Sequence, residues 1–448
     1  MKKILILVSI FSILFSSCNN EINVSTELDL QLERVLEGES PTGGVDFFRM
    51  PDSEDLGNIP QDENNPLSSE KVLLGKMLFH ESGIGTNPLK DISTETYSCA
   101  SCHFAGAGFQ AGRFQGLGDG GIGFGINGEG RMKGPLYRDE DIDAQPIRTP
   151  SIMNGAYQKN MFWNGQFGAT GANLDLESQF TPNTPKETNN LGYEGLEIQA
   201  IAGLDLHRQN ISEEIITQLG YKEMFDEAFS DFDENERYSK VTAGLAIAAF
   251  ERTVLANESP FQKWLTGEKS ALTDKERRGA ILFFDKAECV SCHTGPALNR
   301  NEFHALGMKD LDQYGLQTVF RLEDAENTNL GRGGFTGNER DNYKFKVPQL
   351  YNLVDSPFLG HGSSFNTIRD VIRYKNTAIQ ENSEVPINSL SFNFIPLGLT
   401  PAEIDELTSF VRNALYDPNL IRYQPDEVNS GGCIPVNDPL AIHQVGCQ

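Results

Sequence analysis

Two pentapeptides concentrate the chemistry of this sequence. Cys99, Cys102 and His103 form one C-x-x-C-H, and Cys289, Cys292 and His293 form a second. With 7 cysteines and 7 histidines among 448 residues, even one such arrangement is not expected by accident. Two thiols at this spacing can add across the vinyl groups of a haem, and the adjacent imidazole then ligates the iron. Each motif is therefore an attachment signature for a covalent c-type haem. A zinc site would set its two C-x-x-C knuckles roughly 15 to 20 residues apart, whereas these are far apart in the chain and each brings its own histidine. A thioredoxin-like pair would need a βαβ setting, and neither motif has one.

The other cysteines fall at the ends. Lys2 and Lys3 precede an apolar run over residues 4–15, followed by Ser16, Ser17 and Cys18. The run is too short to cross a bilayer permanently and reads as a cleaved export signal, with Cys18 as the acylated N-terminus of a lipoprotein. No later segment is long and apolar enough to span a membrane, so contact with one is expected only through that lipid. The expected location is exported and periplasmic, where haem attachment takes place. Cys433 and Cys447 are expected to form a disulfide, closing a loop worth about 3 kcal/mol in the chain-entropy view.

Positioning these groups falls to a chain with 37 basic and 63 acidic side chains, a net charge of −26, which repels phosphate backbones and excludes nucleic acid as a partner. Its 43 glycines and 21 prolines demand many turns. Helices are predicted at 212–229 behind Ser212, at 236–257, from Thr273 with Glu276 through Phe284, and from Thr400 with Pro401 and Glu403 onward. Strand signals are sparse. The expected fold is mostly α: two c-type cytochrome domains, each carrying one covalent haem, with long irregular loops. The boundaries read as a signal at 1–18, a polar tether at 19–65, a first haem domain at 66–266, a second at 267–425, and a disulfide-bearing tail at 426–448. A G-x-G-x-x-G at Gly118, Gly120 and Gly123 lacks the flanking strand and helix of a dinucleotide site.

The words around the motifs carry a resemblance. Leu74-Gly75-Lys76-Met77-Leu78-Phe79, Arg148-Thr149-Pro150-Ser151, Phe162-Trp163-Asn164-Gly165, Glu197-x-Gln199-Ala200, Lys346-Val347-Pro348 and His361-Gly362-Ser363-Ser364 occur in an order that resembles the bacterial di-haem cytochrome c peroxidase/MauG family over residues 66 to 425. The resemblance implies that the His103 haem is the peroxide site, that the His293 haem receives electrons, and that Trp163 relays between them. It places pocket residues at Glu197, Gln199 and His207, of which His207 is the preferred proton carrier because an imidazole titrates near neutrality. It also sets His361 near the second haem.

The position of the second haem's sixth ligand holds Lys375, with Tyr374 beside it and Met308 as a further alternative. Asn164 and Gln166 stand where the family commonly has Asp and Arg. Arg148 replaces the asparagine of an interdomain Ca2+ site, for which carbonyls at Asp355 and Pro357 are the remaining expectation. Trp264 reads as core; His80, His304 and His443 read as structural or surface residues.

The implied reaction is reduction of hydrogen peroxide to water, which needs an iron with an open position, an acid/base group and two electrons. A small donor protein such as a cytochrome c, basic to match the acidic surface, would supply them. A MauG-like oxidase acting on a partner protein and a non-catalytic electron carrier are the alternatives, and a homodimer is compatible with either.

Overall fold

The computed structural model describes residues 26–313 and 318–447. The export-signal and lipidation reading, Cys18 included, lies outside the described residues. The described chain is predominantly helical. Its sheet is confined to two short antiparallel pairs, β1 (Gly121–Ile122) with β2 (Met132–Lys133), and β3 (Arg300–His304) with β4 (Phe345–Val347).

The segment expected to be a polar tether is instead folded from Thr26. Thr26 and Asp29 form a capping box that starts α1 (Glu27–Glu39), and Leu32 and Leu36 are fully buried. Asp29 is also buried and takes hydrogen bonds from Trp264 Nε1 at 2.7 Å and Arg277 Nε at 2.6 Å. Burial alone would push its carboxyl up, but these donors and Thr26 hold it down at about 2. A buried acid with matched donors is invisible to a reading by polarity, which is why the stretch looked like a tether.

Three helices dominate the first half: α2 (Ser69–His80), α3 (Gly195–Leu206) and α4 (Lys240–Thr253). The α2–α4 crossing is close because Gly75 has no side chain; a Cβ there would lie 1.8 Å from the Ala246 carbonyl oxygen. In the second half α5 (Asp274–Phe284), α6 (Ile368–Thr377) and α7 (Pro401–Ser409) pack together. The expected capping boxes at Thr273 and Thr400 open α5 and α7. The single helix predicted over 212–229 is two, Glu213–Gln218 and Lys222–Ala228. Gly220 at φ +78° turns the chain between them.

Phe48, Phe261, Phe283, Phe284 and Phe410 form a ring cluster in a buried core that is continuous across both halves. The tail returns to the first half. Cys433 and Cys447 are disulfide-bonded, and Asp438 makes a buried ion pair with Arg131 at 3.3 Å. Arg131 also donates to the carbonyls of Leu117, Gly118 and Gly123, tying down the glycine-rich loop that follows the first motif.

Candidate active site

Each C-x-x-C-H is a single 3-10 turn, Cys99–Ser101 and Cys289–Ser291, followed by the second cysteine and the histidine. The loops that follow are alike. His103 Nδ1 lies 3.2 Å from the Phe109 carbonyl, and His293 Nδ1 lies 3.0 Å from that of Leu298. Phe109 and Leu298 are both at positive φ. Pinning Nδ1 to a carbonyl fixes the ring and leaves Nε2 available as a ligand atom. Burial lowers both imidazoles to about 4, so they are neutral, as ligation requires.

The likeness extends further along both halves. The loop held by the Met161–Phe167 bridge corresponds to that held by Leu359–Phe365, which makes Trp163 the counterpart of His361. Arg148 and Lys346, two residues before Pro150 and Pro348, are likewise counterparts. Their backbones cross between the halves: Arg148 N donates to His361 O at 2.8 Å, and Lys346 N donates to Trp163 O at 2.7 Å.

Two cavities adjoin at this crossing. The larger, about 320 Å3, is lined by Cys289, Cys292, His293, His361, Met308 and Lys375; the smaller, about 190 Å3, by Cys99, Cys102, Asp143, His207 and Glu251. His103, Arg148, Trp163 and Gln199 line both. Trp163 Nε1 donates to Arg148 O at 2.7 Å, and the indole meets the His361 ring edge-on. His361 is stacked on Phe345 and bonded through Nε2 to Asp310 at 3.0 Å.

These surroundings fit haem. None of the four motif cysteines is in a disulfide. Burial pushes Cys99, Cys102 and Cys289 up to about 12, which keeps them protonated. At Cys292 burial is outweighed by hydrogen bonds with His304 and Ser291, leaving about 7. Gly116 keeps space open at the first motif, since a Cβ there would lie 3.0 Å from Cys102 Sγ. Gln199 Oε1 and Arg148 Nε, buried on the shared wall, have no hydrogen-bond partner among the described residues.

Of the expected pocket residues, Gln199 and His207 line the smaller cavity and Glu197 does not. Gln199, Gly203 and His207 recur every four residues along one face of α3 and past its end, whereas Glu197, two positions from Gln199, faces the opposite way. It is fully buried in a two-point ion pair with Arg252, at 2.8 and 2.7 Å. His207 Nδ1 is held by Asp143 at 2.9 Å. Burial lowers the imidazole, but the Asp143 carboxylate overrides it and the net shift is upward.

On α6, Ile368, Val371, Ile372 and Lys375 face the larger cavity at helical spacing. Tyr374 does not: its hydroxyl donates to Leu306 O at 2.5 Å, and its ring packs between Phe365 and Phe394. That corrects the expectation of Tyr374 as an iron ligand and leaves Lys375 and Met308. His304, expected to be merely structural, lines the larger cavity near Cys292.

The carbonyls expected for calcium are those of Asp355 and Pro357. The Pro357 carbonyl takes a hydrogen bond from Asn366, and the Asp355 side chain takes one from Asn352 through Oδ2. Among the described residues no three His, Cys, Asp or Glu side chains cluster as metal ligands. The cation at this place is the Arg148 guanidinium, which donates to Arg113 O, Ala111 O, Gln110 Oε1 and Ser356 Oγ.

Residues 69–270 match the family described as di-haem cytochrome c peroxidase. That stretch, which holds the first C-x-x-C-H and Trp163, is similar to the family. The chain is 27% identical over 372 residues to the methylamine utilization protein MauG of Methylophilus methylotrophus, covering 82% of this chain and 87% of that one. It is equally 27% identical over 372 residues to the cytochrome c peroxidase Ccp of Escherichia coli K12, covering 82% of this chain and 62% of that one. Among solved structures, a MauG-like protein associated with microbial copper homeostasis shares the fold at a TM-score of 0.54 and 23% identity, over 83% of this chain and 93% of that one.

Sequence reasoning missed Asp143, Glu251 and Asp310. Asp143 sits in an irregular loop with no motif around it. Glu251 lies in the helix 236–257 read for its apolar face, where a single buried acid leaves no trace in the periodicity.

Proposed function

We propose that the two motifs carry covalent haems and that the chain reduces hydrogen peroxide to water at the His103 site, with electrons entering at the His293 site from a small basic donor protein. Bound there, the haems supply the redox-active iron. Cys99, Cys102, Cys289 and Cys292 anchor them, and His103 and His293 present Nε2 with Nδ1 already engaged. His207, oriented by Asp143, moves a proton at Nε2, and the Gln199 amide offers a polar contact in the same cavity. Trp163 couples the two sites. The observation that carries this reading is that one indole lines both cavities while its backbone carbonyl is bonded across the junction to Lys346 and its Nε1 is held by Arg148 of its own half.

Residues 66–266 and 267–425 would then act as a peroxide half and an electron-entry half. Lys375 or Met308, both lining the larger cavity, would be the further residue to hold the second haem, and Cys18 would tether an exported, periplasmic protein by its lipid. The net charge of −26 supports a basic donor.

The test is peroxide consumption by the mature holoprotein with a reduced basic cytochrome c. Stoichiometric donor oxidation, lowered on the order of 100-fold by His207→Ala, is the expected result. Donor oxidation no faster than without the protein refutes it.

A further inference from the structure

On α4 the Glu251 side chain reaches the smaller cavity. The residue is 2% exposed, and Oε2 has no hydrogen-bond partner among the described residues. It shares that cavity with Cys99, Gln199 and His207, and Gln199 Oε1 is unpartnered as well. An ionised carboxylate deprived of donors and water is strongly disfavoured, so such a group keeps its proton.

We propose that Glu251 is a second proton-holding group of the first cavity, its carboxyl O–H giving a proton to a peroxide oxygen as the O–O bond breaks. This rests on the peroxidase reading above. Peroxide reduction consumes two protons and two electrons and yields two waters; the electrons come from the reduced donor protein. His207 handles one proton, and Glu251 provides the other. Its O–H bond breaks, a water O–H bond forms, and the carboxylate left behind recovers a proton from solvent.

The groups facing Glu251 agree with this role. Burial is the main influence and raises the carboxyl to about 8; the Glu197 carboxylate on α3 adds to the rise, and Arg252 on α4 opposes it. The first motif contributes Cys99, uncharged as a thioether, α2 contributes uncharged Phe79, and the cavity walls carry His207, Asp143, His103 and Arg148. Glu197 and Arg252 are already paired with each other, so Arg252 is not free to fix Glu251 as a carboxylate.

The experiment combines infrared spectroscopy of the holoprotein across pH with Glu251→Gln and Glu251→Asp. The wild type should show a buried carboxylic C=O band that disappears with a midpoint at about 8, is absent in Glu251→Gln and is displaced in Glu251→Asp. Glu251→Gln should slow peroxide reduction on the order of 100-fold, with haem content and absorption unchanged, and Glu251→Asp should recover part of the rate. A wild-type protein without that band, or a folded Glu251→Gln with the wild-type rate and pH profile, overturns the inference. Should Glu251→Gln fail to fold, the wild-type titration and Glu251→Asp decide. A wild type that consumes no peroxide refutes the peroxidase reading itself, whereas an active wild type matched by Glu251→Gln refutes only the role of Glu251.

Discussion

Arg148 N donates to the carbonyl of His361 across the junction of the two halves, and the counterpart of Arg148, Lys346, returns the bond to the counterpart of His361, Trp163. Two copies of one loop thus hold each other at the place where the cavities adjoin. Buried backbone bonds of this kind leave little freedom to the side chains they carry, so the Trp163 and His361 rings are fixed at 6.2 Å between centres.

Trp163→Phe removes the Nε1 donor from the Arg148 carbonyl and keeps most of the ring. We expect a loss of about 1–3 kcal/mol from the unpaired buried carbonyl, unchanged haem content, and slower electron transfer from the second site to the first. Chemical denaturation and rapid-mixing absorption at both sites measure the two effects.

Asp143→Asn tests the His207 pair. The imidazole is raised on folding, so its share of stability is full below its unfolded value near 6.5 and fades as pH rises through the folded value. Burial would raise Asp143, but His207 and Arg208 pull its carboxyl down overall. Its share is full above an unfolded value near 3.9 and fades as pH falls through the folded value. The difference in Tm between wild type and Asp143→Asn should therefore be largest between about pH 4 and pH 6.5, and the peroxide pH profile of the variant should shift to lower pH.

Arg148 gives a contrast with a calcium-dependent junction. Its guanidinium already bonds the carbonyls and side chains that gather there, so a strong chelator should leave Tm and activity unchanged. Arg148→Met should cost about 3 kcal/mol or more by stranding several buried acceptors. Thermal unfolding with and without chelator reads both.

If the larger cavity holds a haem on His293, as proposed, a three-variant comparison identifies its further ligand. Lys375→Ala or Met308→Ala should change the absorption and potential of the His293 haem, depending on which residue ligates it. Tyr374→Phe should leave both unchanged, because that hydroxyl is committed to Leu306.

Much of the site was legible because its chemistry is written in short words. The two C-x-x-C-H motifs, Trp163, His207 and His361 could be named from sequence, and the capping boxes at Thr273 and Thr400 marked α5 and α7 through local hydrogen bonding alone. What could not be read depends on partners distant in sequence. Glu197 looked like a pocket acid until Arg252 paired with it, and Glu251 was hidden in an apolar helix. Asp29 made residues 27–39 look solvated although its donors, Trp264 and Arg277, lie more than 200 residues away.

The intact mass of the mature protein, taken after acid–acetone extraction, tests the central claim most directly. We expect a red polypeptide heavier than the bare chain by two haems, each lost on replacing one motif's cysteine pair by alanine. A colourless chain at the unmodified mass would contradict it.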